Sequence, residues 1–201
     1  MFGLFVVVEG VDKSGKTTVV RELYEALSKN YPVKKISFPD RSTAIGTILD
    51  KYLKGIVDMS PEATHLLFTA DRYEKKREIE ELSRNNILIC DRYSWSGITS
   101  TVAKGIDLGW CLETERLLPK ADITLYLEAD IEVISRRRGF GDEVLETTEI
   151  QHKIKDCFGQ MRDYSENVVV LDATKSVEDI TAIAVKHVLR CLEKKNQINS
   201  V

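Results

Sequence analysis

The sharpest chemical signal in this sequence is the run Gly10-Val-Asp-Lys-Ser-Gly15-Lys16-Thr17, followed by Thr18. Its spacing is G-x-x-x-x-G-K-[ST], the pattern of a loop whose backbone N–H groups cradle phosphates. Glycines let the backbone turn so that these groups converge on phosphate oxygens. A helix starting at the end of the loop adds about +0.5 of partial positive charge. Lys16 supplies an ammonium for the β- and γ-phosphates, and the Thr17 hydroxyl can ligate Mg2+. The pattern alone also arises by chance. Here an apolar run ends at Val8 and a helical pattern begins at about Gly15, which is the context such a loop requires.

Other charged residues fall at strand ends. Asp91-Arg92-Tyr93 follows the apolar run Ile87-Leu-Ile-Cys90. In doubly wound sheets ligands sit at the carboxyl ends of strands, so Asp91 is placed to hold a magnesium water shell and Arg92 to contact a phosphate. Asp also caps helices, and capping of a helix over 94–103 is the competing reading. In Phe38-Pro39-Asp40-Arg41-Ser42, Arg41 suits a bidentate grip on phosphate, or is an ordinary exposed arginine near a helix start. Phe68 and Arg72 stand four apart and so share a helix face. Such a pair can stack on a base and read its acceptor oxygen, although a helical Phe is more often core. Residues 135–146 bring Arg136, Arg137 and Arg138 ahead of Gly139 and Gly141 with no apolar periodicity. They read as a glycine-hinged lid that carries cations over an anionic substrate, or as a solvated loop at a helix end.

These residues need a scaffold. The apolar runs 4–8, 33–38, 87–90, 123–127 and 168–171 are short and continuous, as strands buried on both faces of a parallel sheet are. Helical spacing covers 17–30, with Val20, Leu23, Tyr24 and Leu27 on one face, and 176–194. A long helix is expected over 62–84, with Ser60 as its cap and Pro61 in its first turn. Strands alternating with helices imply an α/β fold: a doubly wound five-stranded parallel sheet with helices on both faces. One domain is expected over 1–201, with the lid at about 135–147 and a frayed tail at about 195–201. Lys plus Arg is 29 and Asp plus Glu 32, a net charge of −3, which argues against a nucleic-acid polymer as partner. No apolar stretch nears the roughly 20 residues of a membrane span. Residues 1–8 run into Glu9 without a basic lead, as a strand does and a signal peptide does not. Cys90, Cys111, Cys157 and Cys191 form no C-x-x-C pair, and His65, His152 and His187 no ligand cluster. Reduced thiols in a cytosolic or nuclear setting are expected.

Nucleotide switches share the loop, but the N-K-x-D guanine reader is absent and Asp91-Arg-Tyr-Ser does not supply D-x-x-G. A small chain with a phosphate loop, arginines at several strand ends and an arginine–glycine lid reads as a kinase acting on a phosphorylated acceptor. Two anions repel, so catalysis there is mostly charge cancellation and in-line alignment. The acceptor oxygen is already ionised and needs no base, which agrees with the lack of a catalytic histidine.

The sequence resembles the thymidylate kinase (dTMP kinase) family over nearly its whole length. The matching segments are Glu9-Gly-Val-Asp-Lys-Ser-Gly-Lys-Thr-Thr18, Phe38-Pro-Asp-Arg-Ser-Thr43, Leu66-Leu-Phe-Thr-Ala-Asp-Arg-Tyr-Glu74, Asp91-Arg-Tyr-Ser-Trp-Ser-Gly97, Leu118-Pro-Lys-Ala-Asp122 and Asp172-Ala-Thr-Lys-Ser176. The resemblance implies a P-loop kinase that moves the ATP γ-phosphoryl group to dTMP with Mg2+, as a homodimer joined through its long helices. It implies that Gly10, Lys13, Ser14, Gly15, Lys16, Thr17 and Thr18 bind ATP, with Arg136, Arg137, Thr174 and Lys175 around it. Thr17 and Asp91 would serve the metal. Asp12 would approach the acceptor sugar and phosphate, and Arg41 and Arg92 would clamp that phosphate. Phe38, Phe68, Arg72, Ser96, Gly97, Ser100 and Leu145 would surround the rest of dTMP, Phe68 stacking on thymine and Arg72 bonding its carbonyl. Asp12, Lys16, Arg92 and the lid's Arg138 form the expected catalytic set. Four departures stand out, the first being Asp40 where the family often carries Glu. Asp71 occupies a usual Asn position, and Leu145 replaces a lid tyrosine. Ser100 replaces an aromatic that crowds the sugar 2′ position, so broader substrate discrimination is expected. A deoxynucleoside kinase, a broader (d)NMP kinase and a slow nucleotide-binding relative are the alternatives.

Overall fold

A computed structural model of the chain describes residues 3–198. Five strands, β1 (Leu4–Gly10), β2 (Val33–Ser37), β3 (Ile87–Asp91), β4 (Ile123–Glu128) and β5 (Val168–Asp172), form one parallel sheet in the order β2-β3-β1-β4-β5. The central strands show why continuous apolar runs are needed. Successive side chains point to opposite faces. Leu4, Val6 and Val8 join one core cluster with Ile87 and Ile89, while Phe5, Val7, Leu88 and Cys90 join another. Burying each such side chain contributes about 1.5–3 kcal/mol, so neither face is left to water. On the first side α1 (Lys16–Leu27) and α9 (Val177–Ile198) pack together and add Leu23, Leu27, Ala184 and Val188 to the core. On the other, α4 (Lys76–Asn85) lies on β1 and β3 and buries Ile79.

Two expectations are corrected. The edge strands are not buried on both faces: β2 exposes Lys34 and Lys35, and β5 exposes Val170. Each has a single neighbour, and lysines on an edge also discourage further strand pairing. The long helix over 62–84 is two helices, α3 (Pro61–Glu74) and α4, broken at Lys75 (φ −92°, ψ 0°). Lys75 Nζ bridges Asp40 (3.2 Å) and Glu78 (3.1 Å) at the break. The bend lets α4 follow the sheet while α3 packs on α2 (Ala44–Leu53), α5 (Ser94–Val102) and α6 (Leu108–Glu115). Ser60 caps α3 as expected, accepting from Ala63 N, with Pro61 at its start. α9 runs through Ile198, and Lys195 Nζ pairs with Asp122 (2.6 Å). Residues 199–201 of the expected frayed tail, and residues 1–2 of the expected leading strand, lie outside the described residues. Two further helices, α7 (Ile131–Ile134) and α8 (Thr148–Met161), flank the lid segment.

Register positions the chemistry. Val8 pairs with Asp91 across β1 and β3, and Ser37 pairs with Asp91 across β2 and β3. The loops after Gly10, Ser37 and Asp91 therefore open on one edge of the sheet. Among the described residues no helix is long and apolar enough to cross a membrane, and no group of three or more His, Cys, Asp or Glu can hold a metal. The four cysteines are free.

Candidate active site

The loop after β1 takes a shape that glycine dictates. Gly10 sits at φ 149°, and a Cβ there would lie 2.6 Å from Leu127 O. Gly15, at the N-cap of α1, has φ 104° and Lys13 has φ 57°. These left-handed turns curl the intervening N–H groups into a concave, anion-binding nest. Lys16 is buried, its Nζ donating to Gly10 O (3.0 Å) and Val11 O (2.6 Å). Burial, and then the Arg92 cation, draw its pKa down to about 7 against the pull of Asp12, Asp91 and Glu9.

Thr17 Oγ1 donates to Asp91 Oδ2 at 2.7 Å. The other oxygen, Asp91 Oδ1, is buried and has no partner among the described residues. Capping is therefore not its role, and α5 starts without a side-chain cap. An unsatisfied carboxylate oxygen beside a hydroxyl is hard-oxygen chemistry. It fits a magnesium ion whose shell is completed by water and phosphate oxygens.

Across the cleft stands Arg92, at φ 65°. That conformation costs about 1–2 kcal/mol for a residue with a Cβ. Its N–H bonds Val8 O (3.0 Å), and its guanidinium pairs with Asp12 and reaches Ser96 Oγ (3.3 Å). Strain held at a cleft residue by several contacts is the signature of positioning. Asp12 is held in turn by Gln151, whose Nε2 donates to Asp12 Oδ2 (2.7 Å) and whose Oε1 accepts from Asp12 N (2.9 Å). Burial pushes the Asp12 carboxyl up, but Arg92 and Lys16 outweigh it and leave its pKa below the ordinary value. Glu9, wholly buried, accepts from Tyr93 N (2.9 Å) and from Ser96 N (3.2 Å) and Oγ, and burial raises its pKa.

The far end of the cleft rests on α3. Phe68 packs with Leu49, Tyr52, Leu53 and Leu145 and also lines the cleft, so it is core and wall at once. Arg72 is buried in an ion pair with Glu115; burial opposes its charge, and the Glu115 carboxylate outweighs that to raise its pKa. Asp71 is buried, accepting from Asp40 N (3.0 Å) and Thr43 Oγ1 (3.4 Å), and burial raises its pKa. It thereby pins the loop that carries Arg41. Arg41 pairs with Asp50 and with Glu143 of the lid (2.6 Å). The lid, with Gly139 at φ 78° and Gly141 at φ 96°, is folded down on both walls. Val144 N bonds Leu53 O (2.9 Å), Glu146 pairs with Lys13 (3.2 Å), and Arg137 donates to Lys13 O. Glu146 Oε2 accepts from Gly141 N (3.0 Å) and Asp142 N (3.0 Å), so the segment is an organised turn.

A single cleft of about 810 Å3 gathers most of the expected residues. Gly10, Asp12, Lys13, Gly15, Lys16, Thr17, Thr18 and Asp91 line its phosphate-loop side. Phe38, Arg41, Phe68, Arg72, Arg92, Ser96, Gly97, Ser100 and Leu145 line the other, with Arg137 and Arg138 above. Four expected residues are not brought into it. Ser14 is buried behind the loop, Arg136 points to solvent, and Thr174 and Lys175 lie exposed in the turn after β5, where Asp172 holds Thr174 Oγ1 (2.6 Å). Sequence reasoning missed Glu115, Gln151, Glu143 and Glu146. Gln151 had a signal: it sits on the apolar stripe of Ile154, Phe158 and Met161 in α8, where a polar residue needs a reason.

A parallel sheet that delivers a phosphate loop and an opposing set of arginines to one cleft, under an arginine-bearing lid, defines a P-loop nucleoside monophosphate kinase. A family model described as thymidylate kinase matches residues 8–183. The chain is 39% identical over 182 residues to thymidylate kinase of Homo sapiens (89% of this chain, 86% of that one). It is 38% identical over 182 residues to that of Dictyostelium discoideum (89% and 82%). The solved thymidylate kinase of Candida albicans superposes with a TM-score of 0.84 at 34% identity, covering 98% of this chain and 93% of that one. The chain belongs to the thymidylate kinase family.

Proposed function

We propose that this chain transfers the γ-phosphoryl group of ATP to dTMP, giving dTDP and ADP for dTTP synthesis. The carrying observation is that one cleft holds the phosphate loop at one end and Arg92, Arg41 and the Phe68–Arg72 wall at the other. Lys16 leaves the carbonyls of Gly10 and Val11 for the β- and γ-phosphates, whose negative charge favours its ammonium form. Arg92 and Arg41 hold the acceptor phosphate, and Asp12, fixed by Gln151, keeps Arg92 aimed. Phe68 stacks on the base and Arg72 donates to its carbonyl. Arg137 and Arg138 reach in from the lid to stabilise charge on the moving phosphoryl group. Mg2+ held by Thr17 and the free oxygen of Asp91 would neutralise charge on the phosphoryl oxygens. Alignment and charge cancellation thus supply the rate.

The test is a coupled ADP-release assay over dTMP, thymidine, UMP and dGMP. Release should need dTMP and Mg2+ together and collapse in Lys16→Ala and Arg92→Ala. Turnover with thymidine alone, or full activity in either variant, would overturn the reading. The UMP and dGMP arms report how far the small Ser100 relaxes selection. We further propose a single catalytic domain acting in the cytosol as a homodimer through the α3 side, where Leu66 is 49% exposed. Sedimentation of wild type and Leu66→Glu tests the assembly.

A further inference from the structure

Arg72 is fully buried yet forms part of the cleft wall. Its guanidinium has five N–H donors in a planar fork. Nε donates to Glu115 Oε2 (3.0 Å) and Nη2 donates to Glu115 Oε1. Thr69 Oγ1 donates to the same Oε1 (2.8 Å). Glu115, the last residue of α6, is thus gripped by two residues of α3. The end of α6 is itself anchored. The His65 ring bridges Thr101 Oγ1 (3.0 Å) and Thr114 Oγ1 (2.8 Å), and Tyr73 Oη donates to Thr114 O (3.0 Å). On its other side the guanidinium lies against α5, where a Cβ on Gly97 would stand 2.4 Å from Nη2 and 3.0 Å from Nη1 and from Cζ. Among the described residues Nη1 has no hydrogen-bond partner.

We propose that Glu115 is a positioning residue for base selection: it takes up Nε and Nη2 of Arg72, so that Nη1 alone faces the acceptor base. The inference rests on the dTMP reading and deepens it. A fork held along one edge by a carboxylate cannot swing. The edge it leaves to the ligand carries only donors, at one fixed place. A base with a carbonyl oxygen there completes the set; a base with an amino group brings hydrogens against hydrogens. Sites built on such buried polar groups discriminate far better than apolar pockets, by about 10^4–10^5-fold at best. Arg72 provides the donors, and Glu115 provides their fixity.

The experiment compares dTMP with 5-methyl-dCMP, which carries an amino group in place of the 4-carbonyl and a bare N3 in place of N3–H, and keeps the methyl group. Wild type, Glu115→Gln and Thr69→Val are assayed as full-length protein. Glu115→Gln should lower the dTMP to 5-methyl-dCMP ratio of kcat/KM by at least about tenfold, with the KM for ATP moved less than twofold. Thr69→Val, which unpairs no charge, should lower the ratio by about threefold, and it carries the test if Glu115→Gln does not fold. A ratio unchanged in both variants, with kcat/KM for the two nucleotides falling in parallel, would show a merely structural role and overturn the proposal. Failure of the wild type to phosphorylate dTMP would instead overturn the functional reading, and the proposal with it.

Discussion

Gly97→Ala sets two effects of opposite sign against each other. Gly97 lies within α5, where Ala is ordinarily better than Gly by about 0.8–1 kcal/mol. A Cβ at this position would lie 2.4 Å from Arg72 Nη2. Ordinary contact distances are about 3.5 Å, so the overlap is about 1 Å. Arg72 cannot retreat, because Glu115 holds it from behind. Forcing α5 outward is an overpacking cost of about 1–3 kcal/mol. Driving Arg72 off Glu115 would cost about 3–5 kcal/mol, the loss from breaking a buried pair. Either route exceeds the propensity gain at all but the lowest value. We expect a net loss of about 1–2 kcal/mol, which is a drop of roughly 2–8 °C in Tm. A shift of about 1 Å in a positioning group costs up to about a hundredfold. The KM for dTMP should therefore rise about 10–100-fold while that for ATP stays within twofold. Differential scanning fluorimetry and ADP release titrated separately in each substrate measure both. A raised Tm with an unchanged KM for dTMP would mean that Arg72 does not press on Gly97.

Other expectations follow from the same contacts. Gln151→Leu removes three hydrogen bonds, one to Leu145 O and two that hold Asp12, so kcat should fall at least tenfold and stability by about 1–3 kcal/mol in urea unfolding. Asp71 has a raised carboxyl pKa in the folded chain, so its ionisation costs stability: the cost builds as pH rises from the ordinary carboxylate range to the raised value, is constant above it and is absent below the ordinary range. Asp71→Asn should therefore raise Tm at pH 8, by about 2–4 °C for each kcal/mol relieved, with the gain shrinking toward pH 4; a constant difference across that range would refute it. Glu143→Gln frees Arg41 from the lid. Exposed pairs contribute about 0.2–1 kcal/mol, so calorimetry should show dTMP binding up to about fivefold tighter, with thymidine unaffected.

The sheet was legible because its signal is local. The central strands β1, β3 and β4 are short apolar runs, and the phosphate loop is contiguous, so its glycines, Lys16 and Thr17 could be read in order. Asp91 and Arg92 were legible because they stand at the end of an apolar run, the strand that pairs with β1. The break at Lys75 was not, since no proline or glycine marks it and its cause is the change of packing partner from α2, α5 and α6 to the sheet. Glu115 and Glu143 were illegible for another reason. Each acts on a residue far off in sequence, Arg72 and Arg41, and on its own reads as one acid among 32.

The cleft's cations have consequences for the arrival of a nucleotide. Lys13 already faces Glu146, Arg41 faces Asp50 and Glu143, Arg72 faces Glu115, and Arg92 faces Asp12. The site is less a bare positive trap than an ion exchanger loaded with its own counter-ions. Incoming phosphates are expected to displace carboxylates from these cations. The two that sit on the lid, Glu143 and Glu146, can depart with it; Asp12 and Glu115, anchored in the body of the chain, remain as fixed charge. Lid release and phosphate capture then become a single swap of anions. Affinity should accordingly depend on ionic strength less steeply than the number of arginines would indicate.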